Sequence, residues 1–361
     1  MDLLNAIYAA ALVFVLFSIY KIPMINYLFV LSHLFLIFLL NGVLFSPHYL
    51  PDQFKYFHVS SAIRDSLDFI NYHQYHSGTV ATASLFFSLF PIPFLDSIFS
   101  IAIINFILYS VIFIFLYKKN ILEGNALWFY LLYPSFALYA GVALREMWIL
   151  LFMIMSIYLL YKKQLLLAII FSLPLLLIKT QNFLIFVVAI VVYNTIIKGS
   201  LFSVKLLIKL LFLIVLFYLF ISFIGIEAID IVRFNMYVED GGNKLLYIPL
   251  TSYRDLVFQG TVGAIYMVLK PLPWESSNVL QLFQSFENLF IFYFIYKIIK
   301  EQFVVKNDFI NFLIVYFFIA MMVYGLVIFN YGTAARYRFT FELIFILFSM
   351  SILYKNREKT K

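Results

Sequence analysis

The chain of 361 residues contains no cysteine, and only 12% of its residues are charged. Without cysteine no disulfide can staple a loop, and no thiolate is at hand as nucleophile or metal ligand. So little charge, set against 65% hydrophobic residues and a mean hydropathy of +1.00, excludes a water-soluble domain, in which about a quarter of the residues carry charge. Proline and glycine are also scarce, at 10 and 12 residues, so the apolar runs go largely unpunctuated. The sequence shows no fixed-period repeat and no low-complexity tract. The first apolar stretch, Leu3 to Tyr20, lacks a basic start and a small-residue cleavage site, so no cleavable signal peptide is expected.

What the sequence does have is apolar runs of about 15–22 residues, long enough for membrane helices. Lipid cannot satisfy backbone N–H and C=O groups, so the spanning elements must be helices or a closed barrel, and a barrel strand would alternate over about ten residues. The expected fold class is therefore an all-α polytopic membrane protein, a single membrane-embedded domain over residues 1–361 with about eleven transmembrane helices. These are predicted at Leu3 to Tyr20, Met24 to Phe45, Ser97 to Tyr117, Ala126 to Gly141, Met147 to Tyr161, Leu165 to Ile178, Asn182 to Ile197, Leu206 to Ile224, Phe283 to Ile299, Phe309 to Phe329 and Phe339 to Tyr354. Thr79 to Phe90 is apolar but short and runs into Pro91-Ile92-Pro93, which predicts a short re-entrant or interfacial helix. Two large loops remain, residues 46–96 and 225–282.

Net charge is +7, which here marks topology rather than a nucleic-acid partner. The pairs Lys118/Lys119 and Lys162/Lys163, the group Lys198/Lys205/Lys209, the group Lys297/Lys300/Lys306 and the C-terminal basic residues fall on one side if the spans alternate. By the positive-inside tendency that side is cytoplasmic, the N-terminus is outside, and both large loops face outward. The expected localisation is a bacterial inner membrane with the chemistry on its outer face.

On this topology the two cations separate: fourteen of the 18 Lys lie inside, whereas six of the seven Arg, namely Arg64, Arg145, Arg233, Arg254, Arg336 and Arg338, lie outside. Guanidinium is a planar fork that fits phosphate or carboxylate bidentately, while Lys is a hydrated point charge sufficient for topology. The pattern points to an anionic ligand, a lipid-linked phosphate or diphosphate foremost. The competing expectation is that each Arg pairs with an outer acid such as Asp65, Glu146, Asp230 or Asp255.

Three places stand out. Asn330 to Arg338 reads as a short outer turn with two Arg at i and i+2, and Glu342 follows Arg338 by four positions, so the two can pair along one helix face. Leu144-Arg145-Glu146-Met147 forms a tight hairpin tip between two spans, where an ionisable pair is costly unless it is used. Asp52 opens a stretch to Ile70 whose apolar positions, Phe54, Phe57, Val59, Ile63, Leu67 and Ile70, have the rhythm of a helix lying on a membrane surface. Asp52 is either a general base or the N-cap of that helix. His58, His73 and His76 are further base or ligand candidates, but their spacing fits no zinc signature, so no metal and no cofactor is expected. Lys179 offers a phosphate contact or caps the next helix, and Glu287 serves as a site residue or as an Arg partner. The late loop, with mixed charge, Tyr and Trp274, suits either a carbohydrate site or a solvated lid.

Four of these features together resemble the polytopic lipid-dependent glycosyltransferases of the GT-C superfamily, and by length and helix count most of all the O-antigen (Wzy-type) and related exopolysaccharide polymerases. The resemblance lies in Pro51-Asp52 with Tyr56, the Leu144-Arg145-Glu146 tip, the large late loop, and Gly332-Thr333-Ala334 followed by Arg336-Tyr337-Arg338. An Arg followed ten residues later by Gly, found in some O-antigen polymerases, does not occur at Arg233 or Arg254. The resemblance implies polymerisation of undecaprenyl-diphosphate-linked oligosaccharide repeat units, with the bilayer and a chain-length regulator protein as partners. Asp52 and Glu146 would be catalytic, and Arg145, Arg336, Arg338, Arg254, Arg233, Tyr56, Lys179 and His58 would bind diphosphate or sugar. The alternatives are a transferase using a polyprenyl-phosphate sugar and a non-enzymatic lipid-linked oligosaccharide flippase. Against transport, the ionisable residues crowd the outer ends of the spans rather than the midplane.

Overall fold

The computed structural model describes residues 1–197, 225–239 and 241–360, and every regular element among them is a helix. The span expected at Leu206 to Ile224 lies outside the described residues, as do Lys198, Lys205 and Lys209. Among the described residues five helices are long and apolar enough to cross a membrane, and five shorter apolar ones accompany them, which makes this a helical membrane protein. The chain divides into two compact units, Met1–Phe183 and Leu184–Lys361.

The first unit is organised around α5 (Ile98–Lys118), in which 16 of 21 residues are buried on all sides, the mark of a helix at the centre of a bundle. Around it pack α1 (Asp2–Ile19), α2 (Met24–Leu40), α3 (Asp52–Ser66), α7 (Pro134–Ala140) and α8 (Glu146–Tyr161). The expected span Ala126 to Gly141 is two pieces, α6 (Asn125–Leu132) and α7, because Pro134 cannot continue the first helix. α9 (Leu165–Ile178) returns along α8, and α10 (Thr180–Val192) follows. α4 (Gly78–Leu89) has 12 residues, about 18 Å at 1.5 Å per residue against a hydrocarbon core of roughly 30 Å, in keeping with the short helix expected there.

α3 packs on α4, with Tyr56 against Phe87, and buries Gln53, Tyr56, Val59, Ser60 and Ile63. Of the stretch Asp52 to Ile70, only Asp52–Ser66 is this helix. The helix stops at Ser66 because Leu67 turns left-handed at φ 54, and Leu67 and Ile70 stand exposed beyond it. The apolar face chosen from hydrophobicity alone missed Gln53 and Ser60, whose polar groups are bonded internally.

In the second unit α11 (Ile226–Glu239) and α12 (Tyr253–Leu269) lie within what reads as the late loop, followed by α13 (Val279–Val305), α14 (Asp308–Val327) and α15 (Tyr331–Thr360). Asn278, Asn307 and Asn330 cap the last three by accepting main-chain N–H bonds, as at Asn330 Oδ1 from Gly332 N at 2.7 Å. α15 thus begins eight residues before the expected Phe339, and Gly332 to Arg338 are helical rather than a turn. α12 packs closely on α14: Gly260 lies beside Met322, and a Cβ built at Gly263 would fall on the main chain of Gly325. The matching order of these contacts makes the two helices run in the same direction where they touch, backbone against backbone, as small residues permit between membrane helices. Gly263→Ala is expected to cost ~1–3 kcal/mol by forcing the backbones apart, while Gly260→Ala, whose Cβ would meet Met322 at an ordinary 3.6 Å, leaves the melting temperature of the detergent-solubilised protein unchanged.

Candidate functional site

The tip between α7 and α8 is sunk into the first unit. Val142, Ala143 and Leu144 are fully buried, so their main-chain groups cannot turn to water and need internal partners. Two side-chain amides provide them. Asn105 Nδ2 donates to both Val142 O and Leu144 O at 2.7 Å, and Gln53 Oε1 accepts from Ala143 N at 2.9 Å while its Nε2 donates to Asn41 Oδ1 at 3.1 Å. Asn105 is seven residues into α5, so the tip is recessed by about 10 Å from the start of that helix. Farther along, Phe115 meets Tyr158 at 5.1 Å, so α5 and α8 run in the same direction.

This arrangement joins two regions that are 90 residues apart. Asp52 precedes Gln53, so the first turn of α3 is seated on the tip that carries Arg145 and Glu146. Asp52 is not the N-cap: Pro51 occupies that position without a side-chain bond, and Asp52, the first helical residue, pairs with Lys55 at 3.0 Å. Glu146 is 2% exposed at the first position of α8, where the helix dipole favours a carboxylate. Arg145 lies immediately before α8, and its Nη1 is buried without a hydrogen-bond partner. Lys179 and Asn182 are buried at the α9–α10 turn, and Asn182 reaches Met153 Sδ on α8 at 3.1 Å. Tyr56, expected to contact sugar, is buried in the core against Phe87, and His58 is exposed beside Phe57. Among the described residues no three His, Asp or Glu side chains cluster as metal ligands.

The outer arginines divide into two kinds. Arg64 donates to Ser88 O at 2.9 Å, Ile92 O at 3.1 Å and Phe90 O, fastening the end of α4. Arg233 donates to Leu326 O at 3.0 Å at the end of α14 and to Ile248 O at 2.6 Å, with its guanidinium over the Tyr247 and Phe329 rings. Arg338, 2% exposed, donates to Met267 O at 2.6 Å and Lys270 O at 3.1 Å at the end of α12 and to Asn288 Oδ1 on α13, and pairs with Glu342 at 3.6 Å. Each of these fills the orphan carbonyls of a helix C-terminus with one planar fork. The expectation that outer arginines pair with outer acids is corrected for Arg64 and Arg233, where the acceptors are main-chain carbonyls. Asp230 instead holds the loop at Tyr247 and Leu250. Asp68, in the first loop, is held below the usual carboxylate range chiefly by N–H bonds from Asn71.

The other three sit at helix beginnings, where a cation opposes the dipole. Arg145 precedes α8, Arg254 is exposed at the second position of α12, and Arg336 is half-buried in the second turn of α15. No family model, curated protein or solved structure matches this chain. Sequence reasoning missed Gln53, Asn105 and Asn288; a signal was available only for Asn105, an amide inside an otherwise apolar stretch of α5.

Proposed function

We propose that this protein polymerises lipid-linked oligosaccharide repeat units by glycosyl transfer at the outer face of a bacterial inner membrane. The observation that carries the reading is the Gln53–Ala143 bond, which sets the Asp52 end of α3 on the recessed tip bearing Arg145 and Glu146. In this reading an acceptor sugar hydroxyl attacks the anomeric carbon of a chain held on undecaprenyl diphosphate. The new glycosidic C–O bond forms as the bond to the diphosphate breaks, the diphosphate leaves with that electron pair, and Asp52 takes the hydroxyl proton. Arg145, whose Nη1 has no protein acceptor, is suited to the charge developing on the leaving diphosphate. The orientation rests on the paired lysines ending α5 and α8, which lie at the opposite end from the tip.

The test is the surface glycan of a deletion strain. The expected result is a single attached repeat unit where the parent shows a ladder, with the ladder restored by the wild-type gene. An unchanged ladder, or a ladder whose every repeat lacks one sugar, would overturn the proposal; the second outcome is that of a single-sugar transferase.

A further inference from the structure

At the end of the first unit away from the tip, α5 and α8 finish in the same way. Lys119 and Lys162 are the C-cap residues of the two helices, with nearly equal backbone angles (φ −90, ψ 7 and φ −80, ψ 8). Each is followed by a left-handed residue, Asn120 at φ 55 and Lys163 at φ 61. The turns close with the same pair of bonds, Asn120 N to Tyr117 O and Ile121 N to Leu116 O in one, Lys163 N to Leu160 O and Gln164 N to Leu159 O in the other, the pattern of a Schellman end. Because the helices run in the same direction, these like-built ends are side by side. Lys119 Nζ lies 5.8 Å and Lys162 Nζ 5.7 Å from the centroid of the same ring, Tyr158. Lys118 and Lys163 flank them, and all four are exposed.

Four cations held this close repel one another, and among the described residues none of the four forms an ion pair with a carboxylate. The helix dipoles and the Tyr158 ring hold the ammonium groups in place without neutralising them. A short anion bearing several acceptor oxygens, at the depth where two membrane helices end, meets all these conditions. We infer that the α5–α8 end is a binding site for the phosphate of an anionic phospholipid, with Lys119 and Lys162 as its two principal contacts over Tyr158. Topology alone asks only that positive charge be present on this side; it does not ask that two lysines from different helices share one ring.

The experiment is native mass spectrometry of the full chain in detergent, titrated with phosphatidylglycerol or phosphatidylcholine. The wild type is expected to retain phosphatidylglycerol in preference, and Lys119→Gln/Lys162→Gln to bind it about thirtyfold more weakly, roughly five- to sixfold per lysine. Lys297→Gln/Lys300→Gln on α13 removes the same charge elsewhere and is expected to change little. Inorganic phosphate added as competitor should not displace the lipid, since the bound species carries acyl chains. A single cysteine at Asn125, the first residue of α6, must label from the same side in variant and wild type, so that lost binding is not inverted topology. Equal lipid binding by variant and wild type, equal binding of phosphatidylcholine, an equal loss in the α13 control, or displacement by phosphate would each overturn the site.

Discussion

Asp52→Asn is expected to lower polymerisation of lipid-linked repeat units by ~10²–10⁴-fold, the usual contribution of a positioned general base, while the melting temperature and substrate retention stay near wild type. Asn keeps the shape of the side chain and can accept from Lys55, but it cannot take the proton of a sugar hydroxyl. Asp52 does not occupy the cap position of α3, which Pro51 holds. The Gln53–Ala143 and Gln53–Asn41 bonds that seat α3 are left intact. A rate within a few fold of wild type in a reconstituted assay would move the base to Glu146 or to another outer residue.

The second large effect separates two arginines that look alike in sequence. Arg338→Lys is expected to unfold the detergent-solubilised protein at markedly lower temperature. A point charge cannot replace a fork that reaches Met267 O, Lys270 O and Asn288 Oδ1 together, and it leaves Glu342 buried beside a weaker partner. Arg338→Leu, which removes one member of a buried pair, is expected to cost ~3–5 kcal/mol. Arg145→Lys should behave in the opposite way, with an unchanged melt and severely reduced ladder formation, because its Nη1 holds no protein acceptor whose loss could loosen the bundle. Equal melts for Arg338→Lys and Arg145→Lys would remove the distinction drawn between clamping and free guanidinium.

The helical class was legible because apolar runs of membrane length leave the backbone few options, and α1, α5 and α8 lie close to where hydrophobicity places them. The pairing of Arg338 with Glu342 was legible because both lie on one helix four residues apart. Less was legible wherever a side chain serves a distant main chain. Arg233 and Leu326 are separated by 93 residues and Arg338 and Met267 by 71, and a bond from a side chain to a carbonyl leaves no periodicity and no partner residue type to search for. For the same reason the late loop reads as a carbohydrate site or a solvated lid, and the packing of α12 along α14 through Gly263, a contact defined by the lack of a side chain, does not show in it. At the candidate site, Asp52 and Arg145 were legible as charges in an apolar chain. The amides that place them near one another were not, since Gln and Asn carry no charge to draw notice.

The carbonyl clamps also differ in when they can form as the chain is made. Arg64 emerges before the α4 carbonyls it holds, so that helix finds its fastener already present. Arg338 is synthesised 71 residues after Met267, so the end of α12 waits with unsatisfied carbonyls until α15 has been delivered to the membrane. α15 is thus the latch of the second unit, and a chain halted before it would leave α12 on α14 with its end unfastened.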